Sequence, residues 1–337
     1  MIPKEKLPQV TPQKLAELLE NNYFNLMASF YDSQSTYLTG IYKKYGNLET
    51  GNIMACFTRN MHLSIIRERE NDLNFNVSIY NYWNNIQNVN KPVEKITNIA
   101  KTTNIPKETI RRKIILLQSK GYLVNKKNSK GYSINNTLKN KEEYISNNLD
   151  EIKILTKFTN QFSKSLKINL DTNLIEEEIK KQFSFYMYHF LNYELQWLKM
   201  WRKSLKDIDL LLIVLQAVIP NLACAAKNKA ENVKVENIFK IIGQLDENCI
   251  SESSVSTASI SDITGIPRAT CIRKLEKLVK LGFLNREHSS KRYYINQNTP
   301  DRTKNIITKD NVNHSIKNFS NLLSIIINSL VATSKAS

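Results

Sequence analysis

Along most of the chain, apolar residues recur every three or four positions, the spacing of one helical face; two short stretches switch to alternation, the spacing of a strand. Val77–Ile86 places Ile79, Tyr82, Trp83 and Ile86 on one such face and predicts a helix. The segment "PVEKITNIAKTTN" predicts a second, short helix with Ile96 and Ile99 inside. Pro106 follows. It has no N–H and a fixed φ, which suits the first turn of a helix and not its continuation. A third helix is expected from about Lys107 to Lys120, with Ile110, Ile114 and Leu117 buried and Gly121 as its stop. "YLVNKK" and "GYSIN" then read as two strands joined by the turn "KKNSKG".

The same grammar returns further on. Ile238, Ile241, Ile242 and Leu245 supply a first helix face, Ile260 and Ile263 mark a second helix, and Pro267 opens a third. That third helix should bury Cys271, Leu275 and Leu278 and stop at Gly282, ahead of strands in "FLNREH" and "RYYIN". The two texts can be laid on one another without a gap. Residues 96–135 and 257–296, offset by 161, share 15 of 40 positions, including Thr103/Thr264, Pro106/Pro267, Thr109/Thr270, Arg112/Arg273, Gly121/Gly282 and Asn135/Asn296. Two large copies are present, not a solenoid array.

The repeat extends outward. "TGIYKKYGNLETGNIMACF" and "LQWLKMWRKSLKDIDLLLIVL" have similar helical spacing, with Leu48 set opposite Leu205, and "LDEIKILTKFTNQF" matches "NHSIKNFSNLLSII" after the second hairpin. Each half is then expected to be helices, a three-helix-and-hairpin module and a closing helix. The halves are 1–156, with its module at 77–135, and 157–337, with its module at 236–296.

Charge sharpens this picture. Residues 96–135 hold nine basic and one acidic side chain, and residues 257–296 hold eight and three. The two windows therefore carry +13 of the formal net charge of +17, and basic charge that tracks a duplicated module points to a polyanionic partner. The four cysteines, Cys56, Cys224, Cys249 and Cys271, show no CxxC spacing and no histidine at ligand spacing, so no metal is expected. So few cysteines fit a reducing compartment, and the expected location is the cytoplasm. The N-terminus has no apolar core of signal-peptide type. Leu210–Ala226 is apolar but short, and Gln216, Pro220 and Asn221 interrupt it; a buried helix ending in a Pro break is expected rather than a membrane span.

Three helices with a tight turn before the third, then a two-stranded hairpin, resemble the winged helix–turn–helix of bacterial transcriptional regulators. The segments "ITNIAKTTNIPKETIRRKIILLQSKGYL" and "ISDITGIPRATCIRKLEKLVKLGFL" carry the resemblance, over roughly 60 residues per copy. The size and plan of each half are similar to those of MarR-type subunits, which work as dimers. Crp-type, IclR-type and replication-initiator winged domains share the same local text. The resemblance implies a mainly α fold with two winged modules joined by long helices, as a pseudo-twofold dimer within one chain. It implies two recognition helices in successive major grooves, ~34 Å apart on double-stranded DNA, and a monomer that acts as a pseudo-dimer, with no cofactor.

Under that resemblance the first recognition helix offers Lys107, Glu108, Thr109, Arg111 and Arg112 to the duplex, and the second offers Arg268, Thr270, Arg273 and Lys274. The wings offer Lys126, Lys127 and Lys130, then Arg286, Lys291 and Arg292, for phosphates or the minor groove. The copies differ where Glu108 stands against Ala269 and Arg111 against Ile272, so an imperfectly palindromic site is expected. The aromatic run Gln182–Trp201 admits two readings: core packing, or a pocket for a small aromatic effector such as MarR-like proteins bind. Phosphate-loop, HExxH and GxSxG motifs are missing, so an enzyme is not expected. A plasmid or phage replication initiator with tandem winged helices is the alternative reading, and a protein-interaction platform a third.

Overall fold

A computed structural model of the chain describes residues 10–126, 130–135, 141–168, 170–227, 238–242, 244–296 and 309–334. The protein is mainly helical, with two small two-stranded sheets. In chain order the elements are α1 (Pro12–Asn21), α2 (Tyr23–Tyr45), α3 (Leu48–Asn71), α4 (Ile79–Asn88), α5 (Ile96–Thr103), α6 (Lys107–Ser119), β1 (Leu123–Lys126), β2 (Gly131–Ile134) and α7 (Lys141–Ser165). The second pass runs α8 (Thr172–Lys181), α9 (Phe183–Leu205), α10 (Asp209–Lys227), α11 (Ile238–Ile242), α12 (Glu247–Ser253), α13 (Thr257–Thr264), α14 (Arg268–Lys280), β3 (Leu284–Arg286), β4 (Tyr293–Ile295) and α15 (Lys309–Ser334).

The repeat is visible in burial. Leu15, Leu19, Tyr23, Met27, Phe30 and Leu38 are buried, and so are the residues 160 positions on: Ile175, Ile179, Phe183, Met187, Phe190 and Leu198. This corrects the expected pairing of Leu48 with Leu205, because Leu48 opens α3 while Leu205 ends α9. That pairing was about one helical turn out of step, an error periodicity cannot detect since every turn of an amphipathic helix looks alike. The closing helices keep step as expected: Ile152, Leu155, Phe158 and Phe162 of α7 are buried, as are Ile316, Phe319, Leu322 and Ile326 of α15.

The expected boundary between residues 156 and 157 falls inside α7 and is not a boundary. The compact units also cross the sequence halves. One comprises residues 1–12, 49–199 and 318–337; the other comprises 13–48 and 200–317. The first module, α4 to β2, lies in the first unit, and the second, α12 to β4, in the second. Helix periodicity says which face is buried but not which partner buries it, so exchange of helices between halves leaves no mark in the sequence.

Within the second unit α10 packs along α2, with Leu210 to Leu215 all buried. α10 is long and apolar enough to cross a membrane by length and composition, and 67% of it is buried in the protein. Pro220 does not end it, contrary to expectation; the helix continues to Lys227. Pro220 cannot donate to the carbonyl of residue 216; one residue on, the Asn221 side chain donates to the Ala217 carbonyl at 2.7 Å. Cys224 of α10 is joined to Cys249 of α12 by a disulfide, a pairing no sequence spacing announced; only the packing of α12 on α10 brings their Cα atoms to 5.9 Å. Cys56 and Cys271 are free and buried.

In the first unit His62 of α3 is fully buried, stacked on Tyr82 of α4 with ring centroids 4.9 Å apart and edge-on to Phe183 at 5.2 Å. Neither ring nitrogen has a hydrogen-bond partner among the described residues, and burial pushes the pKa down to about 3. An unfolded histidine titrates near 6.5, so between these values the unfolded chain binds the extra proton. The neutral ring's contribution is complete above about pH 6.5 and is lost as pH falls towards 3. Urea unfolding at pH 7 and pH 5 should therefore show the wild type losing about 2 kcal/mol more than His62→Phe over that interval. Parallel losses in the two proteins would show that His62 titrates normally.

Candidate nucleic-acid interface

Each module is built by the same few contacts. Thr103 is fully buried; its hydroxyl donates to the Ile99 carbonyl at 2.8 Å and accepts from the Ile105 N–H at 3.3 Å. Thr264 repeats this, donating to Ile260 at 2.6 Å and accepting from Ile266 at 3.2 Å. The backbone turns between these bonds through the left-handed region, at Asn104 in the first copy and Gly265 in the second. Pro106 and Pro267 then cap α6 and α14. The helices end as expected: Gly121 and Gly282 have φ of 78° and 75°, a conformation that favours glycine. Their carbonyls accept from the side chains of Asn135 and Asn296, both at 3.0 Å, which ties each hairpin back to the end of its helix. The hairpins are antiparallel, with Leu123 opposite Ile134 and Leu284 opposite Ile295. Tyr132 and Tyr293 also pair with Glu94 and Val255, the residues just ahead of α5 and α13. One difference from expectation lies at the front of the second module. Its first helix is not continuous through Leu245, because the Asp246 side chain caps a fresh helix, α12, by accepting from the Cys249 N–H.

The buried faces of α6 and α14 are those expected: Ile110, Ile114 and Leu117, and Cys271, Leu275 and Leu278, are inaccessible. The opposite face of α6 exposes Lys107, Glu108, Arg111, Arg112, Ile115, Leu116, Ser119 and Lys120. That of α14 exposes the positions 161 further on: Arg268, Ala269, Ile272, Arg273, Glu276, Lys277 and Lys280. Thr109 and Thr270 are half-buried at the rim. Arg112 and Arg273 therefore occupy one place on two copies of one surface. Arg111 is ion-paired with Glu108 one turn earlier, an exposed pair with no counterpart on α14.

Not every expected contact is available. Lys274 is buried, on the same face as Cys271 and Leu278, and its ammonium donates to Asp207 at 2.6 Å, with Asp209 at 4.0 Å. Its spacing, three after Cys271 and four before Leu278, places it inward, and its positive charge does not turn it out to solvent as expected. Arg292 is exposed, but its guanidinium is engaged: it donates to the Ser254 hydroxyl at 2.6 Å and also to the Ser254 carbonyl. It fastens β4 to the segment ahead of α13 rather than reaching outward.

The hairpin turns present Lys130 and Lys291, both exposed and both left-handed, with φ of 49° and 57°. Lys126 and Arg286 are exposed at the ends of β1 and β3, and Arg286 lies 5.6 Å from the Tyr293 ring centroid. Lys127 lies outside the described residues. Lys91 lies near Lys126 of the first hairpin, a neighbour that the repeated window does not include because Lys91 precedes it. Burial, then the Lys126 charge, lower its pKa, so basic groups crowd together there. Lys120, Lys277 and Lys280, not among the expected contacts, extend the exposed stripes by one or two turns.

No family model, curated protein or solved structure matches this chain. The aromatic run of α9 is core: Tyr186, Phe190, Tyr193, Trp197 and Trp201 are buried. A cleft of about 800 Å³ in the first unit is lined by other residues, among them Arg69, Val77, Tyr80, Leu174, Lys181 and Leu330.

Proposed function

We propose that the chain is a sequence-specific, double-stranded DNA-binding transcriptional regulator of MarR-like winged helix–turn–helix type and not an enzyme; the Cys224–Cys249 disulfide removes the ground on which a reducing cytoplasm was expected. Each module reads one half of an imperfect palindrome, with α6 and α14 as recognition helices and the hairpins as wings. One observation carries the reading: two solvent-facing stripes, at positions offset by 161, stand on helices whose buried faces, turns and end-caps repeat bond for bond. A structural requirement accounts for the repeated interior. It does not account for exposed basic side chains kept at the same places on both copies, Lys107/Arg268, Arg112/Arg273 and Lys130/Lys291, whereas a phosphate backbone does.

Bases are distinguished by what the stripes do not share. The Glu108–Arg111 pair suits polar edges, while Ala269 and Ile272 suit a thymine methyl group. Fluorescence anisotropy against random duplex DNA at rising salt tests the reading. The slope of log K against log salt should be about −0.9 per phosphate neutralised, so six or more contacts lose about a thousandfold or more between 50 and 200 mM. Salt-insensitive or undetectable binding would leave an interaction platform as the better account. Selection from the same pool should return an asymmetric site, and a perfect palindrome would refute the division of labour.

A further inference from the structure

The two modules are not anchored alike. In the second unit, α14 packs on α10, and α13 on α2. A Cβ on Gly265, at the α13–α14 turn, would stand 3.1 Å from Cγ of Lys43, so the stem of that α2 residue lies directly against the turn. Inside this contact Lys274 reaches from the recognition helix to Asp207, in the turn between α9 and α10, with Asp209 as a second acid at 4.0 Å. The other oxygen of Asp209 accepts the Leu48 N–H at 2.9 Å. Tyr42 of α2 senses the same cluster: burial, then the charges of Asp209, Cys271 and Asp207, raise its pKa. In the first module Lys113 stands at the equivalent place, 161 residues earlier, but is half-buried and makes no ion pair among the described residues.

We infer that Lys274 is a positioning residue: its ion pair with Asp207 clamps the second recognition helix to the α9–α10 turn and sets the angle at which α14 meets its half-site. The inference rests on the DNA-binding reading above. A nearly buried ammonium on an otherwise apolar face is costly unless paired, and this one is paired at hydrogen-bond distance to a single partner, so it fixes the helix laterally and about its axis. Apolar contacts at Cys271, Leu275 and Leu278 tolerate small sliding; a 2.6 Å charge-assisted bond does not. The first module, without this clamp, keeps more freedom to adjust to its half-site.

The clamp and a direct DNA contact make opposite predictions. Asp207→Ala removes a negative charge near the interface, which by electrostatics alone tightens DNA binding. A clamp predicts the reverse. The probe is the duplex selected by the wild-type chain, with the α14 half-site defined as the half whose protection is lost in Arg273→Ala. Asp207→Ala and Lys274→Met should each weaken protection of that half about tenfold, as expected for loss of a charged hydrogen bond, and leave the other half unchanged. Lys274→Met should keep the wild-type salt slope, and Lys274→Arg should restore binding. Thermal melting checks that each variant is folded; if Lys274→Met unfolds, Asp207→Ala, half-exposed and outside the recognition helix, decides alone. A slope reduced by about one phosphate in Lys274→Met, or tighter binding by Asp207→Ala, would overturn the clamp while sparing the DNA-binding reading. Absence of salt-dependent duplex binding by the wild type would end both.

Discussion

Alanine at Arg112 will weaken one half of the selected DNA site by about 1–3 kcal/mol, and alanine at Arg273 will weaken the other half by a similar amount. Both arginines are exposed on the outward stripes of α6 and α14, and neither has an ion-pair partner among the described residues. A guanidinium so placed can take guanine O6 and N7 together or clamp a phosphate. The two roles separate by salt and by sequence. A phosphate contact, once removed, lowers the salt slope by about one and weakens all sequences alike; a base contact relaxes preference at one position. Footprinting on the selected duplex measures the halves separately. If both variants lose both halves equally, the modules do not divide the site between them. Arg111→Ala is the informative neighbour. Its partner Glu108 holds it along the helix surface and already offsets its charge, so Arg111→Ala should cost less than Arg112→Ala.

The second large effect concerns stability. Phe319→Ala should destabilise the first unit by about 3–5 kcal/mol. Phe319 of α15 is fully buried, with its ring 5.6 Å from Phe158, 5.0 Å from Phe162 and 6.0 Å from Tyr193. Three aromatic rings around a fourth cannot collapse into the space a phenyl group leaves, because two are held on α7 and one on α9; transfer and cavity terms therefore add. Phe319→Leu keeps most of the volume and should cost less than half as much. Leu174→Ala, at a position 67% exposed, should stay within about 0.5 kcal/mol. Denaturant melts of the three variants make the comparison, and a loss below about 1 kcal/mol for Phe319→Ala would contradict the packing described.

The local reading of each module was carried by few residues. Pro106 and Pro267 mark helix starts and Gly121 and Gly282 mark stops, because backbone geometry at those points admits few other residues. The 161-residue offset then made each copy a check on the other: Lys130 and Lys291 take the same left-handed turn, and Thr103 and Thr264 the same pair of hydrogen bonds. The exposed stripes followed from the buried ones by elimination. Lys274 and Arg292 lie beyond this logic: an ammonium on a buried face is held there by Asp207, 67 residues away, and the Ser254 partner of Arg292 is 38 residues away.

What the sequence determined by itself is local and periodic: helices, caps, hairpins, the repeat and the charge that follows it. These depend on residues within a few positions of each other, so the order of side chains contains them. Tertiary structure alone decided that residues 13–48 join the unit of the second module while 318–337 join that of the first. It also paired Cys224 with Cys249, carried α10 through Pro220, and turned Lys274 inward to Asp207. Each of these is a choice among partners distant in the chain, and an apolar face, a thiol or an ammonium accepts many partners until packing leaves it one.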